Sequence, residues 1–174
     1  MICKPALTPK TFWLASALIA GLALAAPASA ADEAAAVLKD PDGKEVGKVT
    51  VLAVPSGVLL AVDLTALPPG DHAFHIHAVG KCEAPDFKSA GGHFNPEEDE
   101  HGLMNEAGPH AGDMPNIHVS ETGKLKIEVL NQMVSLGGLL DDDGSAIVIH
   151  EGPDDYETDP AGDAGPRIAC GVIE

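Results

Sequence analysis

From residue 36 onward, apolar and polar positions alternate with a period of two. Ala36-Val37-Leu38-Lys39 leads into the turn Pro41-Asp42-Gly43. Lys48 to Val54 puts Val49, Val51 and Ala53 on one face, and after Pro55-Ser56-Gly57 the residues Val58, Leu60, Val62 and Leu64 alternate cleanly. Pro68-Pro69-Gly70 turns the chain before an apolar run from Ala73 to Ala78. Leu125, Ile127 and Val129 alternate, Asp141 to Gly144 turns, and Ala146 to His150 and Arg167 to Ile173 supply the last strands. Successive side chains of a strand point to opposite faces, so each of these runs has one face to bury. No segment sustains a period of 3.6, and the pattern predicts an all-β sandwich or barrel. Two stretches lack the period: Gly80 to Val119, and Gly152 to Pro166. Loops longer than ~15 residues in a compact domain are usually functional or disordered, and both of these hold the unusual residues, which favours function.

The first thirty residues read differently. Met1 to Lys10 holds Lys4 and Lys10 and no acid, Phe12 to Ala26 is an uncharged, mostly apolar run of 15, and Ala28-Ser29-Ala30 follows. This is the layout of a secretory signal peptide, predicted to be removed after Ala30. The run is short of the ~20 residues that span a bilayer, so no membrane association is expected afterwards. The remaining domain, 31–174, would be exported.

Export changes the charge and the cysteines. Ten Lys and Arg against 27 Asp and Glu give −17, and loss of Lys4 and Lys10 makes it −19. Such a chain offers no basic face for phosphates, which argues against a nucleic-acid partner. Cys3 leaves with the leader, and Cys82 and Cys170 remain. In an oxidising compartment an even pair reads as a disulfide, with two separate buried thiols as the other reading.

Eight histidines remain to be explained. His75-Ile76-His77 lies on a predicted strand, so period two puts both rings on one face, with Cα atoms roughly 7 Å apart. The first long loop adds His93, His101, His110 and Asp113, and His150 ends a later strand. Imidazoles suit copper and zinc, and three imidazoles with a carboxylate close a tetrahedral zinc shell. Six His and one Asp supply two such sites only if one His serves both. Solvated surface histidines would give the same count.

Longer segments narrow the choice. Gly70-Asp71-His72-Ala73-Phe74-His75-Ile76-His77, Cys82, Gly91-Gly92-His93-Phe94-Asn95-Pro96, His101, His110-Ala111-Gly112-Asp113, His150-Glu151-Gly152-Pro153-Asp154-Asp155 and Gly162-Asp163-Ala164-Gly165-Pro166-Arg167-Ile168-Ala169-Cys170-Gly171-Val172-Ile173 resemble the copper/zinc superoxide dismutases. The resemblance implies an eight-stranded Greek-key β-barrel with two long functional loops. It implies one copper held by His75, His77, His93 and His150, and one zinc held by His93, His101, His110 and Asp113, with His93 bridging. Asp154 would orient one histidine of each site, Arg167 would attract the superoxide anion, and Cys82 and Cys170 would form the intrasubunit disulfide. The implied reaction converts superoxide to O2 and hydrogen peroxide as copper changes oxidation state, with His93 carrying a proton. His72 and His118 are left as structural or surface residues.

Eleven positions separate Cys82 from His93, and 17 separate His150 from Arg167. The first spacing is longer and the second shorter than in cytosolic members, which is similar to the periplasmic bacterial branch. The shortened loop leaves the family's charged guiding residues in question, with Lys88 a candidate substitute or, more simply, a solvated lysine. A non-catalytic periplasmic copper/zinc binder is the rival reading. The sequence leaves monomer and homodimer open.

Overall fold

The computed structural model describes Met1 and residues 32–174, so the leader predicted for residues 1–30 lies, apart from Met1, outside the described residues. Among the described residues nine strands run in chain order: β1 (Glu33–Lys39), β2 (Glu45–Val54), β3 (Gly57–Leu64), β4 (Gly70–His72), β5 (Phe74–His77), β6 (Ile117–Val119), β7 (Leu125–Asn131), β8 (Ala146–His150) and β9 (Arg167–Val172). A single helical turn, α1 (Leu136–Leu139), follows β7, capped by the Ser135 hydroxyl, which accepts from Gly138 N–H at 3.1 Å. No helix among the described residues is long and apolar enough to cross a membrane.

Strands β4 and β5 are one strand interrupted at Ala73. Its N–H donates to Gly152 O and its carbonyl accepts from His150 N–H, so Ala73 bonds the β8 end while β4 turns to pair with β6. Counted that way there are eight strands. One antiparallel sheet has the order β5-β8-β9-β1-β2-β3-β7, and the β4–β6 pair extends it beyond β5. The two outermost strands, β6 and β7, are consecutive and joined by the tight turn Ser120–Lys124. The sheet therefore curls on itself as a barrel, and β3 pairs with β7 rather than with the strand that follows it, in Greek-key fashion.

Alternation explains the core. Ala34, Ala36 and Leu38 of β1, Val49 and Val51 of β2, Val58, Leu60, Val62 and Leu64 of β3, Phe74 and Ile76 of β5, and Ile147 and Ile149 of β8 are buried in one cluster. Leu125, Ile127 and Val129 of the terminal strand β7 pack against it partly buried. With few aromatics the interior is filled by branched aliphatics, each worth roughly 1.5–3 kcal/mol when buried.

Three local expectations change. Ala53 is exposed instead of sharing the face of Val49 and Val51, because it lies one residue from the end of β2, beside the β2–β3 turn. Gly70 is the first residue of β4 as well as the end of a turn. The stretch 80–119 contains a 3-10 turn (Lys88–Ala90) and β6. Three-residue elements show too few alternations to be read from a sequence.

Candidate metal centre

On β5, Phe74 and Ile76 enter the core, so His75 and His77 must point to the opposite face. On β8 the same parity puts Ala146, Val148 and His150 on that face, opposite Ile147 and Ile149. Ordinarily an outward sheet face meets water. Here the first long loop covers it by pairing with the β5 backbone: Ile76 N–H donates to Gly112 O, Phe94 N–H to Ile76 O and Ala78 N–H to Gly92 O. A side chain on Gly112 would collide with Ile76 O and stand 2.9 Å from Phe94 N, so only glycine permits this approach. The pairing sets Asp113 opposite His75 and His93 opposite His77.

Two groups of four donors result, all on buried residues. His75, His77, His93 and His150 form one, and His93, His101, His110 and Asp113 the other, with the donor atoms of each group within 4.8 Å of one another. The hydrogen bonds identify which nitrogens are engaged. His75 Nε2 donates to Asp154 Oδ2 (2.8 Å), His77 Nδ1 to Gly91 O (2.9 Å) and His150 Nδ1 to Gly165 O (3.0 Å). His93 Nδ1 faces Asp113 Oδ1 at 2.7 Å. The opposite atoms, His75 Nδ1, His77 Nε2, His93 Nε2 and His150 Nε2, are buried without any partner. A neutral imidazole with its proton on one nitrogen presents a lone pair at the other. Four convergent lone pairs cannot satisfy one another, and leaving each bare costs ~1–3 kcal/mol. A cation at their centre removes that cost, and four imidazoles are a donor set for copper.

The second group is built on Asp113. Its Oδ2 accepts the N–H groups of Gly102 and His110 at 3.0 Å, folding the loop around the carboxylate. His101 Nδ1 lies 3.1 Å from the same oxygen without hydrogen-bond geometry and has no partner. His110 Nδ1 is 3.3 Å from His93 Nδ1. Three imidazoles and a carboxylate fit zinc. Asp154 links the groups, since Oδ2 takes His75 and Oδ1 takes His101 Nε2 at 3.0 Å. A Cβ on Gly162 would collide with that carboxylate and stand 2.9 Å from His101 Nε2.

Burial shifts the protonation of both groups. Desolvation brings His93 and His150 down to about 4, despite their hydrogen bonds to Asp113 and Gly165, and lowers His77 strongly. For Asp113 burial opposes the charge. The His93 and Gly102 hydrogen bonds and the neighbouring imidazoles outweigh it and bring it to about 2. His77, His93 and His150 are therefore neutral and Asp113 charged at pH 7, as metal ligands must be.

Cys82 and Cys170 form a disulfide, which ties the first loop to β9 three residues beyond Arg167. The half-buried Arg167 guanidinium donates to Phe87 O and Gly91 O, both at 2.7 Å. Gly91 O thus serves His77 and Arg167 together. His72 is buried behind the first group, with Nδ1 2.9 Å from His150 O and Nε2 2.9 Å from Pro68 O. His118 is exposed and pairs with Asp71, and Lys88 is exposed and pairs with Asp86. Sequence reasoning missed Asn116, whose Nδ2 donates to Asp154 O and whose Oδ1 accepts Asp154 N–H, both at 2.8 Å. It also missed Tyr156, whose hydroxyl accepts Asn116 N–H. No periodicity marks either residue; Tyr156 stands out only as the sole tyrosine.

Residues 45–173 match the family model described as copper/zinc superoxide dismutase (SODC). The chain belongs to the copper/zinc superoxide dismutase family. It is 53% identical over 138 residues to superoxide dismutase [Cu-Zn] 1 of Aquifex aeolicus, covering 76% of this chain and 82% of the relative. With superoxide dismutase [Cu-Zn] 2 of the same organism it shares 48% over 166 residues, 91% of this chain and 97% of the other. Its fold matches a solved superoxide dismutase-like protein from Bacillus subtilis with a TM-score of 0.76 at 39% identity, covering 80% and 97% of the two chains. As a copper/zinc superoxide dismutase the protein is an oxidoreductase whose cofactors are one copper and one zinc per chain.

Proposed function

We propose that the all-imidazole group His75, His77, His93 and His150 holds copper, that His93, His101, His110 and Asp113 hold zinc, and that His93 bridges them. The observation carrying this reading is the four buried, unpartnered nitrogens that converge while every other nitrogen of those rings is engaged. Copper, when bound, supplies the one-electron exchange with superoxide. Over one cycle two superoxides and two protons give one O2 and one hydrogen peroxide. His93 Nε2 takes up one proton in one half of the cycle and delivers it in the other, while Nδ1 stays on the zinc side and keeps the ring in place. His77 and His150 are held as the correct tautomers by Gly91 O and Gly165 O, and Asp154 does the same for His75.

Substrate attraction has to overcome the chain's own charge, since −17 repels an anion. Charges beyond ~8 Å are largely screened at physiological salt, so the local cation prevails. Arg167 is that cation. Its two hydrogen bonds to loop carbonyls fix it beside His150, its partner in the β8–β9 register. Lys88 contributes little, being neutralised by Asp86 in solvent.

The residue pattern of 1–30, with the Cys82–Cys170 bond, supports export to the periplasm with cleavage after Ala30. Metal analysis and a superoxide assay on purified mature protein test the reading. One copper and one zinc per chain with fast dismutation are expected. Metal uptake without activity would instead favour a non-catalytic binder.

A further inference from the structure

Between Asp155 and Pro160 the second loop is exposed at every position except Tyr156. All of that residue's polar groups are engaged with the metal centre's supports. Its N–H donates to Asp154 Oδ1 at 2.6 Å, its carbonyl accepts from Met104 N–H at 3.0 Å, and its hydroxyl accepts from Asn116 N–H at 2.7 Å. Met104 lies three residues past His101, and Asn116 three residues past Asp113. With the two bonds from the Asn116 side chain to the Asp154 backbone, this makes a closed ring running Asp154, Tyr156, Asn116 and back to Asp154. Tyr156 holds φ of 68°, a region that a bulky L-residue keeps only when its surroundings impose it.

We propose that Tyr156 is a positioning residue of the metal centre, its hydroxyl fixing the second loop against the zinc-side segment so that Asp154 reaches His75 and His101 at once. The inference rests on the ligand assignment proposed above. Its direction follows from the acceptor atoms. Asp154 Oδ1 serves both Tyr156 N–H and His101 Nε2, whereas Oδ2 serves His75 alone. When the ring opens, movement of the loop strains the Oδ1 contacts first. Loss of the hydroxyl therefore weakens the zinc side more than the copper side.

The test uses Tyr156→Phe in the mature, disulfide-bonded protein, which keeps the ring and removes only the oxygen. Zinc affinity is measured by chelator competition, copper affinity in the same way, and the zinc-side geometry by the d–d spectrum of Co(II) bound there. Partners that orient ligands are worth ~10–100-fold in metal affinity, and a residue acting through one should reach about the lower end. We expect zinc binding to weaken about tenfold, the Co(II) bands to change, and copper binding to change less than zinc binding. Asp154→Asn should weaken zinc by itself, and adding Tyr156→Phe to it should cause little further loss, because both act through one carboxylate. A variant that only melts earlier, with unchanged zinc affinity and Co(II) spectrum, would overturn the proposal, as would losses that multiply in the double variant. Wild-type protein that takes up no zinc would overturn the ligand assignment itself, and this proposal with it.

Discussion

The two donor groups share a histidine yet are held by different chemistry. In the all-imidazole group every ring is oriented from outside, by Gly91 O, Gly165 O, Asp154 and Asp113, and the centre is a set of neutral lone pairs. In the other group Asp154 holds His101 from outside, but the main orienting element, Asp113, is itself one of the four donors, and backbone N–H groups converge on its charge. The first is a rigid frame around a neutral hole. The second is a loop wrapped around an anion. The contrast suits their proposed tasks, since a redox ion needs ligands that stay put without excess negative charge, and a structural ion needs a closed shell.

Asp113→Asn should break the second group most severely. The amide is uncharged, and its single oxygen cannot both accept the Gly102 and His110 N–H groups and serve as a metal donor; zinc affinity is expected to fall roughly a hundredfold or more, with copper affinity reduced less. Chelator competition for each metal measures this, and equal losses would mean that the groups are not separable. Gly162→Ala should act on both, because the new methyl displaces Asp154 from His101 and His75 together. A loss of ~10–100-fold in zinc affinity is expected, with a changed copper EPR spectrum.

Arg167→Glu tests the first group alone. It removes the cation beside His150 and places an anion there, so the second-order rate should fall several-fold and its salt dependence should flatten or invert. Pulse radiolysis at two ionic strengths reads both. An unchanged rate would leave the enzyme without an identified attractor.

Acid should act on the buried imidazoles before the carboxylate in the metal-free protein. His93 and His150 stand at about 4 when folded against ~6.5 unfolded, so below pH 6.5 the unfolded chain binds protons more readily. Stability is then lost as pH falls from ~6.5 to ~4, by of order 3 kcal/mol per histidine. Asp113, held at about 2, contributes stability above ~4 that is lost only as pH falls further toward 2. Urea midpoints across this range check the order. Val129→Ala serves as the smallest change. On the terminal strand β7 and only partly buried, it should cost about 1 kcal/mol by urea denaturation and leave both metal affinities unchanged.

Much of the barrel was legible because burial on one face imposes a period that local sequence must carry. Val58, Leu60, Val62 and Leu64 announce β3 without help, and Ala146 to His150 announces β8. The three-residue strands β4 and β6 were not legible, since each exists only because the other pairs with it. The donor residues could be named through their resemblance to a family, but not their roles by spacing. His72 and His75 are both buried, and only the fold shows one ring between two carbonyls and the other with a bare nitrogen.

The sequence by itself determined the longer strands, the side of β5 that His75 and His77 occupy, and the supply of six imidazoles and carboxylates in loops long enough to reach them. Period two and residue chemistry are local, so one chain suffices to state them. Only the tertiary structure decided which nitrogen of each ring is free, which oxygen of Asp154 takes which ring, and that Tyr156 and Asn116 hold it there. Those facts depend on where a carbonyl or carboxylate tens of residues away comes to rest, and a hydrogen bond's direction is set by that placement alone.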